Sequence, residues 1–520
     1  MRRLAVALVV ACVIFLPMAA SANTRAAADG TAARDCTRGT FKNFHDEGAA
    51  TPPPGYTGSM FQLSQTYPDS FVSEQSPWMA VPTSGLATSS GAKAYLEAVY
   101  NYVTDGNVEA GWIAQNNTVR PWFHAPWLDP GPNGREFIHG LTQERAAPSG
   151  LLDAKREQTW SIGAFNAPGG WAIGQMWCDP NNPDPNALNP NPNTPNSFPP
   201  GTAIYKLLFS TASPADAPFL AGTFQWDADV LATVAPAGAV APAPIDPPRA
   251  IKMVSLVQMD VAVRDDRLPN GWAYGTFAYA AKSPGATIWE RMVPVGLMWG
   301  NDPGVTPSMV AAGAILQQTW MNHDPALASV PPHSGWAGRL VGPLDNQASS
   351  CMSCHQTAGQ PYTPFIASGR KGQVLTEREQ LPWFANTPAG VAFDAVQNPD
   401  DPLGPQLRTS TDYSLQVSMG LQRFVAATCP TTGKPTSTAK PSVAEPSICT
   451  ATASRSGQGL LAASTTALGP DRVTRRGLSL PWVGGIAALV LLAGLPLGRL
   501  SARLRPSLSR RSIDPEEGTS

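Results

Sequence analysis

The stretch IKMVSLVQMDVAVRDDRLPNGWAYGTFAYAA, residues 251–281, decides the fold class. Ile251, Met253, Val257, Met259, Val261 and Val263 fall on alternate positions, the period of a strand with one face turned to a core. After Leu268-Pro269-Asn270-Gly271 a second run returns with Tyr274, Phe277 and Tyr279. Asn-Gly between two such runs is the strongest short-range signal of a β-hairpin. Working outward, residues 136–141, 159–165, 171–177, 202–211 and 289–299 read as further short strands bounded by turn formers. Repeated short strands favour an antiparallel sandwich or barrel over a parallel sheet. Helical spacing appears from Ser89 to Val103, at 308–320 and at 412–426, the last with Tyr413, Val417, Leu421 and Phe424 on one face. The expectation is an α+β protein: a large, mainly antiparallel, sandwich-like β domain over 23–330, then a short helical segment over 331–429.

Residues 351–355 read Cys-Met-Ser-Cys-His, the C-x-x-C-H pattern. With so few Cys and His, a shuffled chain would contain it about once in a thousand. Two thiols one helical turn apart can bond the two vinyl groups of a porphyrin, and the next imidazole can reach its iron. Half of a zinc site and a redox dithiol are the competing readings. Zinc needs four closed ligands, and no second C-x-x-C or H-x-x-x-H completes the set. A dithiol does not need the histidine, and no βαβ pattern surrounds it.

The pentapeptide resembles the attachment site of the c-type cytochromes. That resemblance implies one covalently attached haem c, held by Cys351 and Cys354, with His355 as proximal iron ligand. The phrases GREFIHGLTQER (134–145), VPVGLMWGNDP (293–303) and Ser349-Ser350 also resemble an uncharacterised group of exported bacterial monohaem proteins, over most of 110–425. No agreed activity comes with that likeness.

The ends of the chain point to export. Arg2 and Arg3 precede an apolar run and an A-x-A-type cleavage site, so 1–22 reads as a signal peptide. Residues 477–498 are uncharged and long enough to span a bilayer, and the basic tail 499–520 would face the cytoplasm. A processed C-terminal sorting signal is the alternative. Residues 430–476 read as a disordered Ser/Thr/Pro stalk. The expected location is the outer face of the plasma membrane, periplasm or cell surface. Charged residues are 14% of the chain and its net charge is −2, which points away from a nucleic-acid partner. Cys36, Cys178, Cys429 and Cys449 form an even set in an oxidising compartment, and Cys429–Cys449 with Cys36–Cys178 is the favoured pairing among three.

Function turns on the iron's sixth position. Met419, on the last helix, is the first candidate for a distal ligand; Met321, His323 and His333 are the second. Met352 is held near the proximal side. With that position open, the loop around His124, Asp129, Arg135, Glu136, His139, Glu144 and Arg145 could supply acid–base groups for peroxide or another small molecule. A salt-bridged strand surface is the plainer reading of that loop. Three functions follow: an anchored electron carrier serving a redox partner protein or small-molecule donor or acceptor, a haem oxidoreductase, and a surface binding protein whose many tryptophans engage a ligand. Catalytic residues are not identified.

Overall fold

The structure, a computed structural model, describes residues 52–60, 63–128, 130–131, 134–135, 141–144, 147, 157–189, 195–234, 248–361, 375–393, 408–429 and 448–449. The signal segment, Cys36, most of the stalk, the apolar segment 477–498 and the tail lie outside these residues. All described residues belong to one compact unit, Met1–Leu460. Among them no helix is long and apolar enough to cross a membrane.

A small ribbon, β1 (Pro130–Gly131) and β2 (Gly134–Arg135), precedes the main sheet. That sheet has eight strands: β3 (Thr142–Gln143), β4 (Thr159–Phe165), β5 (Ala203–Ser210), β6 (Gln225–Leu231), β7 (Arg249–Arg264), β8 (Trp272–Tyr279), β9 (Met292–Met298) and β10 (Thr319–Met321). Neighbours run β10-β9-β8-β7-β5-β4-β3, all antiparallel. The long β7 pairs with β6 along its first half and with β5 along its second. A second ribbon joins β11 (Gly359–Gln360) and β12 (Thr409–Ser410). The helices are α1 (Ser89–Thr104), α2 (Ala167–Met176), α3 (Pro307–Ala311), α4 (Cys351–His355), α5 (Glu377–Gln380) and α6 (Leu415–Thr428).

The large antiparallel β domain is therefore present as an eight-stranded sheet whose faces carry helices and loops, and among the described residues no second large sheet packs on it. On one face lie Met259, Val261, Tyr205, Leu207, Ile162 and Phe277, under α1 and an aromatic belt. Trp112 and Trp122 both meet the Tyr205 ring edge-on, and Tyr100 meets Phe277. Helix α1 comes so close to β8 that a Cβ on Gly275 would lie 2.3 Å from Leu96 Cδ2. The opposite face carries Tyr274, Thr276, Asp260, Gln258 and Lys206, and α4 with its flanking loops lies over part of it.

The hairpin forms, with Met259 opposite Phe277, but its connection is 265–271 and not a two-residue turn. Gly271 adopts φ 80° where the loop enters β8, a conformation suited to glycine, while Asn270 is buried. Residues 171–176 are helix, not strand, with Trp177 at its C-terminal cap. The Asn166 side chain caps α2 by accepting from the Gly169 amide, and Pro168 sits in the first turn. Gly170 lets that helix press on Phe123, whose Cδ2 would be 2.4 Å from a Cβ. The helix expected over 308–320 stops at Ala311. The Asp302 carboxylate captures the Gln318 amide at 2.8 Å and the Thr319 hydroxyl at 2.9 Å, drawing the chain into β10. Strand β6 had no clear signal in the sequence, and 136–140 lie outside the described residues. Cys429 and Cys449 are bridged, with Cα atoms 5.3 Å apart. Cys178 is also disulfide-bonded, and its expected partner Cys36 lies outside the described residues.

Because α1 rests directly on Gly275, a Gly275→Val substitution should destabilise the unit by about 1–3 kcal/mol through overpacking. The urea midpoint measures it; an unchanged midpoint would show that α1 can lift off the sheet without cost.

Candidate functional site

Helix α4 starts where two serines satisfy each other's backbone. Ser350 Oγ accepts the Ser353 amide at 3.0 Å and Ser353 Oγ accepts the Ser350 amide at 2.8 Å. Helical spacing then sets Cys351, Cys354 and His355 on one side, at i, i+3 and i+4. Each keeps some surface, whereas Met352 and Ser353 are buried. The Met352 sulfur accepts from Asn270 Nδ2 at 3.2 Å, so it points into the core and away from the thiol side. Asn301 and Gln356 lock the far side of α4. The Ser350 hydroxyl donates to Asn301 Oδ1 at 3.2 Å, and Gln356 Oε1 accepts from Thr387 Oγ1 at 3.0 Å.

The two thiols are not joined to each other. Burial, then the Asp345 and Asp260 carboxyls, push the Cys351 thiol well above its ordinary pKa. The His355 ring packs against the Tyr274 ring with centroids 4.7 Å apart. Loss of water there pushes its pKa down to about 4. Its Nδ1 lies 2.8 Å from the Tyr413 carbonyl oxygen. A carbonyl can only accept, so Nδ1 carries the proton and Nε2 keeps its lone pair. That tautomer is what a metal-binding imidazole needs, with the hydrogen bond fixing the ring.

Beside this group the sheet carries a row of polar residues on central strands. Lys206 on β5 stands opposite Asp260 on β7, which stands opposite Thr276 on β8. Lys206 Nζ is 2.6 Å from Glu144 Oε1, which also accepts the Ser161 hydroxyl at 2.8 Å. The Thr276 hydroxyl donates to Asp260 at 2.7 Å, and Gln258 Nε2 donates to Asp260 at 3.1 Å and to Asp345 at 3.2 Å. Ile204, Lys206 and Asp260 keep partial exposure although they sit mid-sheet, so the face above them is incompletely covered. Burial and then Asp345 raise the Asp260 pKa to about 7. Lys206, Asp345 and Glu144 all act on the His355 ring.

The other expected residues divide. Met419 lies on α6, partly exposed, at the margin of the main core. Its helix neighbour Gln416 reaches the sheet, with Nε2 2.1 Å from where a Gly163 Cβ would be. Met321 packs its sulfur at Gly296, His323 is exposed, and His333 turns its Nδ1 to the Pro331 carbonyl at 3.1 Å. Of the charged loop, Glu144 reaches the α4 site, while His124 is buried and accepts the Ser64 amide at 2.9 Å. Asp129, Glu136, His139 and Arg145 lie outside the described residues, and only the backbone of Arg135 is described. Tyr274 and Tyr413 were read from the sequence only as a strand and a helix aromatic, and Asp412, Lys206 and Asp260 were not singled out. A lone lysine within the apolar run 203–210 was the one visible hint.

The donor set suits a covalently held porphyrin: two unbridged thiols and a correctly tautomerised imidazole share one side of α4. Among the described residues no three His, Cys, Asp or Glu side chains gather as a metal-binding group, so no closed zinc set forms there. Neither family models, nor curated proteins, nor solved structures contain a match to this chain.

Asp260 gives a pH signature. Its folded pKa lies above the unfolded value, so the folded chain holds a proton that the unfolded chain releases. Its contribution is therefore present below the ordinary carboxylate pKa of about 4 and is lost as pH rises towards about 7. Asp260→Asn should gain stability relative to the native chain between about pH 5 and pH 8. Urea midpoints at both values check it, and a constant difference would contradict the assignment.

Proposed function

We propose that the chain is an exported, membrane-anchored monohaem c-type cytochrome that carries electrons. Cys351 and Cys354 would hold the haem through thioether bonds, and His355 would give the iron its proximal nitrogen. Bound there, the haem supplies one-electron redox chemistry. The observation that carries the reading is the Nδ1 hydrogen bond of His355 to the Tyr413 carbonyl, which leaves Nε2 as the free electron pair. The Cys429–Cys449 bridge supports an oxidising compartment, in keeping with a signal segment at 1–22 and a bilayer-spanning helix at 477–498. Met419 is the proposed distal ligand; its thioether would raise the potential and close the iron to outside ligands.

A second reading, a haem oxidoreductase with an open distal side, is favoured by the Lys206–Glu144 pair and the Asp345 carboxyl, all of which act on the imidazole. Such groups can deliver or take protons at a bound small molecule. A third reading, ligand binding by tryptophans, would rest on the partly exposed Trp127, Trp171 and Trp289, since Trp78, Trp112, Trp122, Trp160, Trp177 and Trp272 are core residues.

Produced in a host with haem-ligation machinery outside the cytoplasm, the full chain should gain one porphyrin mass. Cys351→Ala with Cys354→Ala should gain none. An intact mass without porphyrin in the native chain would end the proposal. Carbon monoxide then separates the two haem readings. A carrier with Met419 bound reacts slowly and loses its methionine–iron charge-transfer band in Met419→Ala, whereas rapid binding by the native ferrous protein favours the oxidoreductase.

A further inference from the structure

The Tyr413 carbonyl accepts two hydrogen bonds. His355 Nδ1 donates at 2.8 Å, and the Tyr274 hydroxyl, from the central strand β8, donates at 3.2 Å. Tyr274 also lays its ring against the imidazole, so one side chain touches the histidine and its acceptor together. The carbonyl is held in an unusual backbone. Asp412 and Tyr413 both adopt left-handed conformations, φ 48° and 66°, which non-glycine residues occupy only at a cost. The fully buried Asp412 carboxylate fixes that conformation. It accepts the Phe198 amide at 2.7 Å, the Gly390 amide at 2.8 Å and the Trp272 indole N–H at 3.2 Å. Asn270 Nδ2 meets the Tyr413 hydroxyl at 3.2 Å, and that hydroxyl donates to the Thr387 carbonyl at 2.5 Å. Strain concentrated at one acceptor, and held by five partners, points to a set geometry.

We propose that Tyr274 and Asp412 are positioning residues that set the reduction potential of an iron bound at His355: Asp412 holds the Tyr413 carbonyl on Nδ1, and Tyr274 draws off part of its accepting power.

The chemistry gives opposite signs for the two residues. A stronger pull on the Nδ1 proton gives the imidazole anionic character, which stabilises ferric over ferrous iron and lowers the potential. Two donors on one oxygen compete for its electron density, so the Tyr274 hydroxyl weakens the pull and raises the potential. Removing that hydroxyl while keeping the ring frees the carbonyl for His355. Disturbing Asp412 loosens the carbonyl and weakens the pull. An asparagine there keeps the size and tolerates left-handed backbone, but its amide cannot accept all three N–H donors.

The inference rests on the haem reading, so each sample is first weighed for covalent porphyrin. Spectroelectrochemical titration of the full, haem-loaded chain then compares Tyr274→Phe and Asp412→Asn with the native protein. Tyr274→Phe should lower the midpoint, cutting the reduced-to-oxidised ratio at fixed solution potential by about fivefold, the worth of one hydrogen bond of about 1 kcal/mol. Asp412→Asn should raise it. An unchanged or raised midpoint in folded, haem-loaded Tyr274→Phe overturns the proposal, as do two variants that shift the same way. Native protein without porphyrin overturns the haem reading and this inference with it. Should Asp412→Asn fail to fold, the sign of the Tyr274→Phe shift decides alone.

Discussion

The hydrogen bond from His355 Nδ1 to the Tyr413 carbonyl joins two segments 58 residues apart, and the chemistry of the site depends on it. Without that acceptor the imidazole could place its proton on either nitrogen and turn about its own axis. With it, the tautomer, the ring plane and the exit direction of the Nε2 lone pair are set together. The arrangement is costly, since two consecutive non-glycine residues sit in left-handed backbone. The cost is offset where a buried carboxylate finds three N–H donors, an interaction that loses much when any donor is missing. Strain at the site and satisfaction around it are two aspects of one device.

The sheet divides its labour between its faces. The α1 side is a packed aromatic core, with Tyr205 enclosed by Trp112 and Trp122. The α4 side carries Lys206, Asp260 and Thr276 across three central strands, where apolar residues would contribute more to stability. Each is paired, yet pairing a mid-sheet charge at best recovers the cost of drying it. Polar groups kept there, next to thiols and an imidazole, are better explained by what lies above the sheet than by the fold beneath it. Gln258 shows the fine balance. A single amide N–H₂ serves both Asp260 and Asp345, and its oxygen takes the Leu344 amide at 2.8 Å. Burial, and then the neighbouring Asp345 carboxyl, hold Asp260 against ionisation even though Thr276 and Gln258 donate to it.

What could be read in the chain was what local chemistry determines. Alternation in 251–263 and 272–279 specified a hairpin, and the C-x-x-C-H spacing specified one face of a short helix. The pattern of Val417, Leu421 and Phe424 specified α6. Failures came where a distant group intervened. Trp171, Ile173 and Trp177 alternate like a strand, but Asn166 caps a helix there, and Gly170 and Gly174 let that helix lie close against Phe123 and Tyr67. Residues 308–320 have helical spacing, yet the Asp302 carboxylate takes the amides that would have continued it. Asp412 and Tyr413 read as the first turn of a helix; the helix begins two residues later, because both are diverted to hold one carbonyl. Tyr274 read as one more strand aromatic. Nothing in its neighbours signals that its hydroxyl ends on the Tyr413 carbonyl that also holds His355, since that bond spans 139 residues.

The same separations argue that the site belongs to the whole unit and not to the segment 331–429. Phe198 and Asp412 are 214 residues apart, Trp272 and Asp412 140, Asn270 and Met352 82. Each of these bonds joins the sheet or its loops to α4 or to the residues before α6. Loop-closure entropy has to be overcome before such contacts stabilise anything, so they form together with the sheet and not ahead of it. The excised segment would keep the thiols and the imidazole of C-x-x-C-H but lose Tyr274, Phe198 and Trp272. It would then have neither the ring packed on His355 nor two of the three donors that hold Asp412. The imidazole would be free to turn, and the carbonyl would have no reason to remain in its strained place.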